Sequence, residues 1–114
     1  MTETPRVLYL LLPADEAADV RSRASFTTPS LEAQGFIHAS GSLAQAIRVA
    51  NRKFAATPRL TALAVDRRRI ASPVRDEWAN DAKPFPHIYG PLNTDAITEV
   101  LHLKRDASGK FIAP

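Results

Sequence analysis

The sequence predicts a single mixed α+β domain of about two helices and six strands. Three observations predict it: short apolar runs of strand length, one stretch with clear helical spacing, and several strands that follow one another late in the chain. A regular βαβ alternation would place a helix between each pair of strands, and the second half of the chain has none. The 114 residues match one ordinary domain and leave no room for a second core.

The elements follow in order. Val7 to Leu12 is apolar almost throughout, which suits a buried strand, and Pro13 ends it. Ala14 to Arg23 reads as a helix, with Asp15 and Glu16 near its start and Arg21 and Arg23 near its end. That charge order complements a helix dipole. Ser25 to Gln34 carries Pro29 and several hydroxyl residues and reads as a loop, and Gly35 to Ser40 as a short strand. Ser42 and Gln45 then match a capping box, in which each side chain satisfies a free backbone N–H at a helix start. Leu43, Ala46, Ile47, Ala50 and Phe54 fall on one face of that helix, Arg48 and Arg52 lie on its solvent side, and Pro58 closes it.

Leu60 to Val65 is the next strand, Asp66 to Ile70 a tight turn, and Val74 to Trp78 a short strand entered through Pro73. Ala79 to Pro86 reads as a polar loop. Pro86 and Pro91 hold His87 to Gly90 extended, because the residue before a proline is pushed out of the helical region. Asn93 to Ala96 is a turn, and Ile97 to Leu103 the last good strand, ending in a turn from Asp106 to Gly109.

Composition narrows the function classes. There is no cysteine, so disulfides, thiolate metal sites and a cysteine nucleophile are excluded together. No segment approaches the roughly 20 apolar residues of a membrane span, and Met1 to Pro5 lacks the marks of a signal peptide, so a cytoplasmic protein is expected. The formal charge is only +3, and Arg67 to Arg69 is the one dense basic run. Nucleic-acid binders spread their cations over a wider stripe, so this run reads as a solvated turn. No phosphate-loop or dinucleotide glycine signature is present, no zinc-ligand spacing, and no nucleophile elbow for a serine hydrolase.

Strand alternation selects the remaining candidates. Phe36 and His38 share one face, and Ile37 and Ala39 the other. His38 and Ser40 lie beside the start of the capped helix, a position that favours an anion and a neutral imidazole. His87 and Tyr89 share a face, as do Arg75 and Glu77. An arginine grips phosphate or carboxylate with two bonds, and a glutamate or histidine supplies proton chemistry. The bland reading of each is a structural histidine or a surface ion pair. His102 sits mid-strand on a solvated face and is set aside.

Three strings carry a resemblance: Gly35-Phe36-Ile37-His38-Ala39-Ser40, Val74-Arg75-Asp76-Glu77, and Phe85-Pro86-His87-Ile88-Tyr89-Gly90-Pro91-Leu92. In this order and spacing the chain resembles the bacterial domain of unknown function 952, from the Val7 strand to Gly109-Lys110-Phe111. That family is grouped with the ADP-ribosyltransferase-like fold, which implies a split, twisted, mostly antiparallel sheet around an NAD-sized cleft. His38-Ala39-Ser40 is similar to the string with which such transferases hold the nicotinamide-side ribose, and Tyr89 stands nearest to their stacking aromatic. The resemblance implies cofactor-binding roles for His38, Ser40 and Tyr89 and supports a nucleotide-like pocket more than catalysis. On the residues' own chemistry Arg75 would bind the cofactor's phosphate, and His87 or Glu77 would be catalytic. The late glutamate of those enzymes has no counterpart: Glu77 precedes Tyr89, and Glu99 lies in an alternating strand without a motif.

Three functions are therefore open. The first is an ADP-ribosyl-transfer enzyme acting on NAD or an ADP-ribosylated substrate. The second is a module that binds a nucleotide or other small ligand in the same pocket without chemistry. The third is a protein-interaction domain in which the strings are structural.

Overall fold

A computed structural model describes residues 4–78 and 84–114. In chain order its elements are β1 (Val7–Pro13), α1 (Ala14–Val20), β2 (Ser25–Phe26), α2 (Pro29–Gln34), β3 (Ile37–His38) and α3 (Leu43–Lys53). There follow β4 (Leu60–Asp66), β5 (Val74–Glu77), β6 (Phe85–Ile88), β7 (Leu92–Asn93), β8 (Ile97–His102), β9 (Lys104–Arg105) and β10 (Phe111–Ile112). Single 3-10 turns occupy Arg67–Arg69 and Thr94–Ala96. The class is α+β and every strand pair is antiparallel.

The two longest strands, β1 and β4, form the spine, paired from Val7–Asp66 to Pro13–Leu60, with β8 along the other side of β4. Leu60 to Val65 is buried throughout, because β4 is the middle strand and both faces of its sheet are covered. On one face Leu8 and Leu10 of β1 join Leu63, Val65, Ile37, Ile88 and Leu92 in the main core. On the other, Leu11, Leu60 and Phe111 pack with Ala50 and Phe54 at the end of α3. At roughly 25 cal/mol per Å² of buried apolar surface, these two layers dominate the folding free energy.

A second three-stranded sheet has the order β3-β6-β5. It meets the first through an isolated bridge: Tyr9 N–H donates to Ser40 O at 2.8 Å, and Ser40 N–H to Tyr9 O at 2.9 Å. The sheet is thus split. Helix α3 starts as expected, its Ser42 hydroxyl accepting the Gln45 N–H at 3.1 Å. The return bond differs from a standard capping box, since Gln45 Oε1 accepts from Gly41 N–H at 2.7 Å. Gln45 is buried and its amide also donates to Pro84 O, tying the helix start to the approach of β6.

Several sequence expectations need correction. The segment Ser25–Gln34 is not a loop: it holds β2 and α2. Its proline and hydroxyl residues mark a helix start instead, with Pro29 in the first turn after Thr28. Gly35 is not the first strand residue but the left-handed end of α2, at φ 88°. The first helix stops at Val20, where Ser22 and Arg23 N–H groups turn back to the Asp19 and Val20 carbonyls. Within the expected loop Ala79–Pro86, residues 79–83 lie outside the described residues, while Phe85 and Pro86 belong to β6. Pro86 lacks a ladder donor, yet its carbonyl still accepts the Ala39 N–H at 3.2 Å. Arg67 is not part of a solvated turn. It grips Asp76 with two bonds of 3.0 and 2.8 Å in a half-buried pair, whereas Arg68 and Arg69 stay exposed. The described residues hold three α-helices and ten strands, more than expected, because two-residue strands leave little trace in a sequence. No helix among them is long and apolar enough to cross a membrane.

Candidate functional site

The register of the second sheet assembles the site. Cross-strand partners are His38 with His87 and His87 with Arg75, one residue away from the row Ile37, Ile88 and Val74. Directly opposed residues share a face and the next row faces the other way. Burying the isoleucines in the core therefore turns His38, His87 and Arg75 outward together. Phe36, Glu77 and Tyr89 follow by alternation. All five strand-borne candidates lie on one face.

Phe36 is the hub of this face. Its ring stacks on His87 with centroids 4.0 Å apart, and lies 4.9 Å from His38 and 5.5 Å from Tyr89. The two imidazoles are 5.5 Å apart, edge to face. Glu77 Oε1 stands 3.0 Å from His87 Nδ1 and also accepts a short hydrogen bond from the Tyr89 hydroxyl. These bonds, Tyr89's first, hold the Glu77 carboxyl below its usual range. The same bond and the carboxylate's charge push the Tyr89 phenol up. The Arg75 guanidinium lies 5.3 Å from the centre of the Tyr89 ring.

His38 Nε2 is 2.6 Å from Gln34 Oε1 at the end of α2. A carbonyl oxygen accepts, so Nε2 carries the proton and Nδ1 is left as acceptor. Burial first, then Lys53 and His87, lower the His38 pKa and favour the neutral ring. Neutrality agrees with the sequence reading, but its cause is desolvation and not the start of a helix. Ser40 is buried, its backbone engaged with Tyr9.

A cavity of about 370 Å³ opens beside this face. Tyr9 and Leu11 of β1 form one wall, and Phe36, His38 and Ser40 with Phe85 and His87 another. The end of α3 closes it with Val49 and Phe54, and brings Arg52 and Lys53 to it as well. The lining is mostly apolar with a few convergent polar groups, the usual character of a small-molecule site.

The six candidates divide. His38, Ser40 and His87 line the cavity; Glu77 touches His87 at Nδ1 without lining it; Tyr89 and Arg75 do not line it either. The sequence reading missed Tyr9, Phe54, Phe85, Gln34 and Lys53, and had sent Arg52 to solvent. The alternation of β1 carried part of the signal, since Tyr9 and Leu11 face away from Leu8, Leu10 and Leu12. Among the described residues no three His, Asp or Glu side chains stand close enough to hold a metal ion.

The backbone is similar to that of protein CC0527 from Caulobacter crescentus. Its crystal structure matches with a TM-score of 0.70 at 27% identity over 93% of each chain. Its solution NMR structure matches with a TM-score of 0.75 at 28% identity, over 91% of this chain and 90% of that one. No curated protein matches the chain. The model of the family described as "Protein of unknown function (DUF952)" matches residues 11–100, most of the chain. The chain belongs to that family.

Proposed function

We propose that this domain is an enzyme acting on a nucleotide-type small molecule held in the cavity, with His87 as its proton-transfer group. The observation that supports this is the Glu77–His87 pair. A carboxylate at Nδ1 fixes the ring and its tautomer, so that Nε2 serves as the proton acceptor. His87 thereby joins a cavity wall to a carboxylate outside it. His38, neutral and held by Gln34, and Ser40 position the ligand.

The ligand class implied by the family resemblance is NAD or an ADP-ribosyl group. The fit is partial. His38 and Ser40 line the cavity as that reading needs, and about 370 Å³ takes a nucleoside-sized half of NAD. Tyr89 lies outside, so stacking falls to Phe36, Tyr9 or Phe54. A bound NAD would supply the ADP-ribosyl group; the chain supplies the oriented imidazole.

Isothermal titration with NAD and ADP-ribose tests the reading, followed by assay for nicotinamide release. Binding with release that disappears in His87→Ala is the expected result. No heat at millimolar ligand with a folded sample removes the nucleotide reading. One observation favours a second reading, binding without chemistry: among the described residues no carboxylate lines the cavity. That reading expects thermal stabilisation by ligand with no product.

A further inference from the structure

The cationic rim of the cavity carries an inference that deepens the small-ligand reading and rests on it. Arg52 and Lys53 form the exposed last turn of α3 and both line the cavity. Among the described residues neither has an ion-pair partner. Arg67 and Arg23, by contrast, are matched to Asp76 and Asp19. Cations in a last helical turn complement the dipole, which accounts for their presence. It does not account for two of them beside an apolar cavity that no carboxylate lines among the described residues.

Ser40 adds an independent observation. The residue is only 3% exposed, and among the described residues nothing hydrogen-bonds its hydroxyl. Among the described residues no sealed-off polar side-chain atom lacks a partner, so this hydroxyl keeps some access from outside, and Ser40 lines the cavity. Such a hydroxyl is free to exchange a bond to water for one to a ligand atom when the cavity fills. The surface hollow lined by Arg21, Asp95 and Glu99 offers a contrast, for there carboxylates already stand beside the cation.

We propose that Arg52, Lys53 and Ser40 form an anion subsite, taking the phosphate of a ligand whose aromatic base lies against the apolar wall of the cavity. The two cations supply charge-assisted bonds and the hydroxyl a neutral one. Lys53 and His38 line the same cavity, and the lysine's charge helps keep the imidazole neutral. The ligand class is a nucleoside monophosphate or a longer phosphate ester.

The test compares adenosine 5′-monophosphate, adenosine and inorganic pyrophosphate, following backbone amide resonances by NMR. The proteins are the wild type, Arg52→Gln/Lys53→Gln and Ser40→Ala. The monophosphate is expected to bind roughly tenfold more tightly than adenosine, about 1.4 kcal/mol, and to shift Ser40, Arg52 and Lys53. The double variant, both of whose changes are on the surface, is expected to lose that preference and keep adenosine binding. Ser40→Ala is expected to weaken the monophosphate only. Equal binding of adenosine and its monophosphate overturns the subsite and leaves the nucleoside reading standing. Shifts that persist in the double variant also overturn it. Pyrophosphate binding at these residues, with no gain from the nucleoside, supports the subsite and overturns the nucleotide reading. No binding by any probe overturns both.

Discussion

In the β3-β6-β5 sheet two rows lie one residue apart and face opposite ways. Ile37, Ile88 and Val74 point into the main core; His38, His87 and Arg75 point toward the cavity side. The first row is held by burial, which asks only for shape and apolar character. The second row is partly open to solvent, and specific contacts hold it: Gln34 on His38, Phe36 and Glu77 on His87, and Tyr89 beneath Arg75. Packing alone does not demand such residues. Adjacent rows of one sheet thus differ in what holds them, burial on one side and specific polar and ring contacts on the other.

The largest expected effect breaks the apolar row. Ile88→Ala empties a fully buried site and is expected to cost about 3 kcal/mol, the middle of the range for such truncations, measured by urea unfolding. A cost under 1 kcal/mol would show that the row is not the anchor. Next comes Arg67→Ala. It leaves Asp76, on the core-side rows of β5, without its two-bonded partner, and about 2 kcal/mol is expected. The same denaturation curves decide it.

His87→Ala sharpens the comparison from the polar side. Removing the Phe36 stack and the Glu77 bond is expected to cost about 1 kcal/mol, while nicotinamide release disappears. If it destabilises as much as Ile88→Ala, the polar row is structural and the interaction-domain reading gains. The smallest effect is a pH dependence. His38 has a folded-state pKa below its ordinary 6.5, so the unfolded chain binds a proton more readily. Stability therefore falls as pH drops from 6.5 toward the lowered value, and His38→Asn is expected to flatten that slope. Glu77 behaves as a depressed acid: its contribution is present above 4.5 and is lost as pH falls through its folded-state value. Glu77→Gln removes that step, read from thermal midpoints between roughly pH 3 and 6.

The same division explains what the sequence disclosed. β1, β4 and α3 were legible because long runs and a cap leave strong local patterns. Alternation puts His38 with Phe36 and His87 with Tyr89, but that the two histidines share a face follows only from the pairing of Ile37 with Ile88, which joins distant segments. β2, β7 and α2 were hidden because pairs such as Ser25–Asn93 form only when distant segments meet. Thr28-Pro29 before a run ending at Gly35 was a helix signal passed over. Arg52 reads as solvent-facing and Lys53 draws no reading, because nothing local says that a cavity lies beside the end of α3. Likewise Tyr89 and Arg75 share the face of His87 without lining that cavity, a matter of packing rather than periodicity.

The bridge between Tyr9 and Ser40 has a consequence for dynamics. It joins sheets that otherwise have separate strand ladders, and the cavity touches both sides of that seam through Tyr9 and His87. Segments linked by few backbone bonds open locally at lower free energy than the cores beside them. A molecule seated across the seam acts as a staple. Its arrival is expected to slow amide exchange at Tyr9 and Ser40 selectively, leaving the interior of β4 unchanged, so that the seam reports occupancy before any product is assayed.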